Sequence, residues 1–95
     1  MGKLVLTRRR GESVKLTANG KTWLLRVRSF KSVMSHSVTL SVAEGDSEEL
    51  LALRPGESYH FAGGSVSLRP HKRTDQAILA FDFPPSVHIL RTELG

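Results

Sequence analysis

Arginine is the residue type with the most chemistry to offer in this chain. Arg8, Arg9 and Arg10 stand in a row near one end, and Arg91 stands near the other. A guanidinium is a planar fork of donors that fits phosphate oxygens or a guanine edge, and it also stacks on rings. The other bases share the bias. Residues 1–31 hold nine Lys and Arg (Lys3, Arg8, Arg9, Arg10, Lys15, Lys21, Arg26, Arg28, Lys31) against one acid, Glu12, a balance of +8. Residues 32–95 hold five bases and eight acids, a balance of −3. A one-sided basic field suits a polyanion, and nucleic acid is the commonest one.

Nothing comparable supports catalysis. His36, His60, His71 and His88 stand alone, without a His-x-x-x-His spacing and without a cysteine to help ligate a metal. No Gly-x-Ser-x-Gly elbow is present. Glu48 and Glu49 are adjacent, so on a strand they point to opposite faces. Gly63-Gly64 reads as a turn and not as a phosphate loop, because no helix follows it. The sequence predicts a binding protein with no cofactor and no metal, not an enzyme.

The elements that must position the arginines are strands. Apolar residues alternate with polar ones at Trp23-x-Leu25-x-Val27, Val38-x-Leu40-x-Val42, Val66-x-Leu68 and Val87-x-Ile89. Period two means a strand with one buried face. Strands are expected near 3–8, 12–17, 21–29, 37–43, 49–53, 57–62, 64–70, 76–82 and 86–91. Asn19-Gly20 and Gly63-Gly64 are expected as tight hairpin turns. Asp46–Leu53 alone also reads as a short helix, with Asp46 or Ser47 as its cap. The fold class is all-β, with antiparallel strands in a sandwich or barrel.

At 95 residues the chain is one small domain, 1–95. With no cysteine, it has no disulfides. No apolar run approaches the ~20 residues of a membrane span. The N-terminus turns charged too early for a signal peptide, so a cytoplasmic protein is expected.

An internal echo runs through the chain. Arg10-Gly11-Glu12-Ser13 recurs as Pro55-Gly56-Glu57-Ser58, 45 residues on. Each copy follows an apolar strand ending in Arg, and each leads into a hairpin that carries Leu-Arg. Two repeats of about 1–54 and 49–95 would account for this, and so would chance likeness between two β-rich halves.

The two ends carry the most specific pattern. The first reads Leu4-Val5-Leu6-Thr7-Arg8-Arg9-Arg10-Gly11-Glu12-Ser13. The second reads Ile78-Leu79-Ala80-Phe81-Asp82-Phe83-Pro84-Pro85-Ser86-Val87-His88-Ile89-Leu90-Arg91-Thr92-Glu93-Leu94. Together they resemble the carbon storage regulator family, CsrA, RsmA and relatives. The first is similar to the family's opening strand and turn, L-x-L-T-R-R-x-G-E. The second is similar to its closing strands, G-x-x-A-P-x-x-V-x-[IV]-x-R-x-E-[LI]. The matches cover 27 of the 95 residues. The chain departs from the family in being much longer, with the excess in the middle. Phe83 stands where the family has a small Ala, and Ala80 where it has Gly.

The resemblance implies a β-rich regulator of translation. Family members are dimers with interleaved strands that bind GGA-containing loops in mRNA leaders or small RNAs. Their RNA surface joins the first strand of one protomer to the last strand of the other. Carried onto this chain, the RNA-binding residues are Leu4, Val5, Leu6, Thr7, Arg8, Arg9, Phe83, Pro84, Val87, Ile89, Leu90 and Arg91. Arg91 matches the family's key arginine. Thr7 and the backbone of Leu4–Leu6 would offer hydrogen bonds, and Leu6, Val87, Ile89 and Leu90 apolar walls, with some of these four facing the core. Phe83 either stacks on a base or fills space. Arg10, Lys15, Arg26, Arg28 and Lys31 are read as steering charge.

The in-between length has two readings. One is a fused pseudo-dimer: a monomer whose single RNA site joins its own first and last strands. The other is a homodimer of chains with a long insertion, which would have two sites. A different class of function also fits, a protein-interaction module or an antagonist of a CsrA-type regulator that has lost RNA binding. No membrane partner is expected.

Overall fold

The computed structural model describes residues 2–31, 37–70 and 76–92, with side chains for 4–30, 37–70 and 76–90. His36 and His71 lie outside the described residues. The expected strands are all present. They are β1 (Gly2–Arg9), β2 (Ser13–Ala18), β3 (Lys21–Lys31), β4 (Ser37–Glu44), β5 (Ser47–Leu53), β6 (Ser58–Phe61), β7 (Gly64–Arg69), β8 (Gln76–Phe83) and β9 (His88–Thr92). Alternation decides their faces. On β8, Ala77, Leu79, Phe81 and Phe83 are buried, while Gln76, Ile78, Ala80 and Asp82 are not.

Two details depart from the sequence reading. Asp46–Leu53 is not helical, because Ser47–Leu53 pairs with β4 along its whole length. Seven residues make at most two helical turns, too few to stand against a complete ladder. The second hairpin turn is Ala62-Gly63, one residue earlier than expected. Both residues have positive φ, 53° and 82°, as do Asn19 and Gly20 (51° and 77°) in the first hairpin. Two such residues give the turn twist that matches antiparallel strands. Gly64 instead opens β7, where a Cβ would run into the Asp82 carbonyl oxygen and the Phe83 ring.

The strands form two sheets, one ordered β1-β8-β7-β6 and the other β5-β4-β3-β2-β9. Among the described residues every pairing of these strands is antiparallel. The sheets share one core and do not close into a barrel. Val14, Leu16, Leu25, Val27 and Leu40 come from the longer sheet, and Val66, Leu79 and Phe81 from the shorter. All eight are fully buried. Each large apolar side chain so buried contributes about 1.5–3 kcal/mol.

The two sheets mirror each other in connectivity. Exchanging β1–β4 with β5–β8 turns the order β1-β8-β7-β6 into β5-β4-β3-β2. Each half of the chain thus lays its first strand on the other half's sheet. The turns after β1 and β5 carry the same four hydrogen bonds. In the first, the Arg9 N–H donates to Glu12 Oε1 (2.7 Å). Glu12 N–H donates to the Arg9 carbonyl, Gly11 N–H to the Val27 carbonyl and Val27 N–H to the Glu12 carbonyl. In the second, Arg54, Glu57, Gly56 and Leu68 stand for Arg9, Glu12, Gly11 and Val27. β9 has no counterpart in this exchange.

Candidate nucleic-acid interface

The two ends of the chain each supply an outer strand. β1 is the outer strand of the shorter sheet, and β9 is the outer strand of the longer one. The tight turn at Arg10–Glu12 carries β1 into β2, and β2 pairs with β9 from Ser13↔Thr92 to Thr17↔His88. The ends of β1 and β9 therefore share one corner, with β9 a single strand spacing of about 4.8 Å beyond β2. β9 runs antiparallel to β2.

Alternation sorts the family-matched residues into two groups. Leu4 and Val5 are 38% and 50% exposed, and Leu90 is 57% exposed. These are three of the four large apolar side chains exposed among the described residues, Leu50 being the fourth. Thr7 and Arg9 are exposed beside them, Pro84 is exposed and Ile89 is half-buried. Leu6, Arg8, Phe83 and Val87 are buried. Leu6, Arg8 and Val87 are thus in the core and not on an RNA-facing surface, and of the two readings of Phe83 the space-filling one fits its burial. Arg91 stands opposite Val14 in β9, but its side chain lies outside the described residues.

Arg8 has a structural setting. Its Nε donates to the Thr7 carbonyl at 2.8 Å and lies 3.9 Å from Glu12 Oε1. That same carboxylate oxygen accepts the Arg9 N–H, so one glutamate ties the end of β1 to its turn. Phe83 packs on Phe61 with centroids 5.2 Å apart, in the space that Gly64 leaves open.

The register adds what the motif alone did not show. Lys15 lies between Leu90 and Leu24, and Arg26 lies next to Ser13. Lys15, Arg26 and Arg28 are exposed. Basic side chains therefore continue from the β1–β9 corner across the outer face of the longer sheet. Period two applied to β2 and β3 together would have revealed this stripe, given their pairing. A backbone edge, exposed aliphatic side chains and a basic stripe suit single-stranded nucleic acid, whose bases pack and whose phosphates need neutralising.

Among the described residues no group of His, Asp and Glu has the makings of a metal site. No helix among them is long and apolar enough to cross a membrane. No protein-family model matches the chain, and neither a curated protein nor a solved structure matches it.

A cleft that no sequence motif marked is lined by Trp23, Glu44, Glu49, Tyr59 and Phe61. Trp23 Nε1 donates to Glu44 Oε1 there (3.1 Å), and the Tyr59 hydroxyl donates to Glu49 Oε1 (3.0 Å). Burial first, and then the hydrogen bond and charge of Glu49, push the Tyr59 phenol up from its ordinary 10.0. A raised folded-state value favours the protonated phenol, so this contribution to stability is present at neutral pH and fades as pH rises through the folded value. Tyr59 is the chain's one tyrosine, so phenolate absorbance reports it alone. Glu49→Gln should move its titration midpoint down. An unchanged midpoint would remove Glu49 as a cause.

Proposed function

We propose that this chain is an RNA-binding post-transcriptional regulator of the carbon storage regulator type. It acts in the cytoplasm on GGA-containing loops of mRNA leaders or small RNAs and controls translation by covering them. The observation that supports this most is the meeting of the two family-like segments. They stand at opposite ends of the sequence, yet the Arg10–Glu12 turn carries the end of β1 to the start of β2, whose Ser13 pairs with Thr92 at the end of β9. The interchangeable strand orders support a single-chain pseudo-dimer with one such site.

The roles follow from exposure. The free backbone edge of β1 offers N–H and C=O groups to base edges, as an unpaired edge strand does. Val5 and Leu90 give bases an apolar floor. Arg9 supplies the guanidinium fork, and Lys15, Arg26 and Arg28 neutralise flanking phosphates. A titration of a GGA hairpin against the same hairpin with a mutated loop tests the proposal. The GGA loop should bind at least tenfold tighter, and equal affinities would sink it. Arg9→Ala should cost about 1–3 kcal/mol of that binding and leave the melting temperature in place. Solution mass separates the architectures: 10.5 kDa is expected, and twice that would favour the homodimer with an insertion.

A further inference from the structure

The likeness between the halves fails at one place. β2 has β3 on one side and β9 on the other. β6, which takes its place in the shorter sheet, has β7 on one side and no strand on the other among the described residues. A cleft of about 220 Å³ lies along that bare edge. Trp23, Tyr59 and Phe61 form its aromatic wall, and Glu44 and Glu49 its rim. Tyr59 and Phe61 lie 5.5 Å apart, and Trp23 meets Phe61 edge-on at 6.4 Å.

The charge of this edge is the reverse of its counterpart's. Counting 45 residues on, Lys3 and Leu4 of β1 become Glu48 and Glu49 of β5. Residues 44–49 hold four acids and no base, in a chain of net charge +5; Glu44 and Glu49 line the cleft, and Lys21 lies 3.9 Å from Glu44 Oε2. The indole and the phenol each bond one oxygen of their glutamate, which turns both carboxylates toward the aromatic wall. Carboxylates beside aromatic rings suit a cation, because a ring face attracts positive charge and the carboxylate pairs with it.

We propose that this edge captures a basic, extended segment of a protein partner. The segment's backbone adds beside β6 as β9 adds beside β2, and its Arg or Lys side chains enter the cleft. Strand addition of this kind draws affinity from main-chain hydrogen bonds and specificity from pockets for alternate side chains. The two carboxylates on the rim, Glu44 and Glu49, repel phosphate, so a nucleic acid is the wrong occupant. A second copy pairing through its own β6 would bring the same acids face to face, which is also unfavourable. The proposal stands on the bare edge and its charge, and does not depend on RNA binding.

Trp23 is the chain's one tryptophan, so its fluorescence reports the cleft directly. The probes are a peptide alternating Arg and Thr and its counterpart alternating Glu and Thr, each titrated without RNA. The basic peptide should change Trp23 fluorescence saturably and bind at least tenfold tighter than the acidic one. It should also slow hydrogen exchange at Tyr59–Phe61. Glu49→Lys should weaken it at least tenfold at an unchanged melting temperature. Absence of a saturable change, or equal binding by Glu49→Lys, overturns the proposal. So does a GGA hairpin that perturbs Trp23 when the basic peptide does not. The RNA reading is tested separately through the loop mutation and Arg9→Ala, so either can fail alone.

Discussion

Arg8→Ala should lower stability by about 3 kcal/mol, and Arg8→Leu should cost distinctly less, because leucine refills the buried space. The guanidinium is 5% exposed and is held by the Thr7 carbonyl and Glu12. Truncation to Ala removes its aliphatic stem from the core and strips Glu12 of a cation. Glu12 keeps partial access to water, with 22% of its side chain exposed, which puts the cost at the low end for a broken buried pair. The leucine variant has a built-in precedent. Leu53 stands 45 residues on, at the same place in β5, and is 4% exposed. The second half therefore fills that position with an apolar side chain of similar reach. Chemical denaturation of both variants is the measurement. A leucine variant as unstable as the alanine variant would mean that the charge itself holds the turn.

Phe83→Ala should cost about 3–4 kcal/mol, as large-to-small changes in a packed core do. For a domain of this size that is a fall of roughly 12 °C or more in melting temperature. Phe83 is 3% exposed and touches Phe61 and Phe81, so its ring fills space and does not stack on a ligand. The hairpin strand beside it is cut to fit, since a Cβ on Gly64 would strike the ring. Binding to a GGA hairpin, measured well below the melting temperature, should be unchanged. A variant that melts normally but loses RNA would reverse the assignment and put the ring on the surface.

The strands were legible because alternation is a local property. Polar and apolar residues alternate strictly from Ser37 to Val42 in β4, and Gly or Asn closes most turns. What pairing decides was less legible. Consecutive arginines on a strand must face opposite ways, but only the sheet tells that Arg8 goes in and Arg9 goes out. The same holds for Leu6 against Val5 and for Ile89 against Leu90. Phe83 was ambiguous because the partner that makes room for it, Gly64, is remote in sequence. The aromatic and acidic cleft left no motif at all. Trp23, Glu49 and Tyr59 come from three strands, and only the register assembles them. The 46–53 segment misled because its capping signals are local, while the ladder that overrides them is made with β4.

The pairings β1–β8 and β2–β9 also govern how the chain folds. Gly2 pairs with Phe83, and Ser13 pairs with Thr92, so the first strands wait for the last. Contacts this distant in sequence make for slow folding, because long loops must close before either sheet is complete. On the ribosome, β1 emerges early and has no partner until β8 follows. A chain halted before β9 lacks half of the β1–β9 corner, however well its middle has formed. Assembly of that corner therefore waits for β9: only a chain that includes β9 can present it.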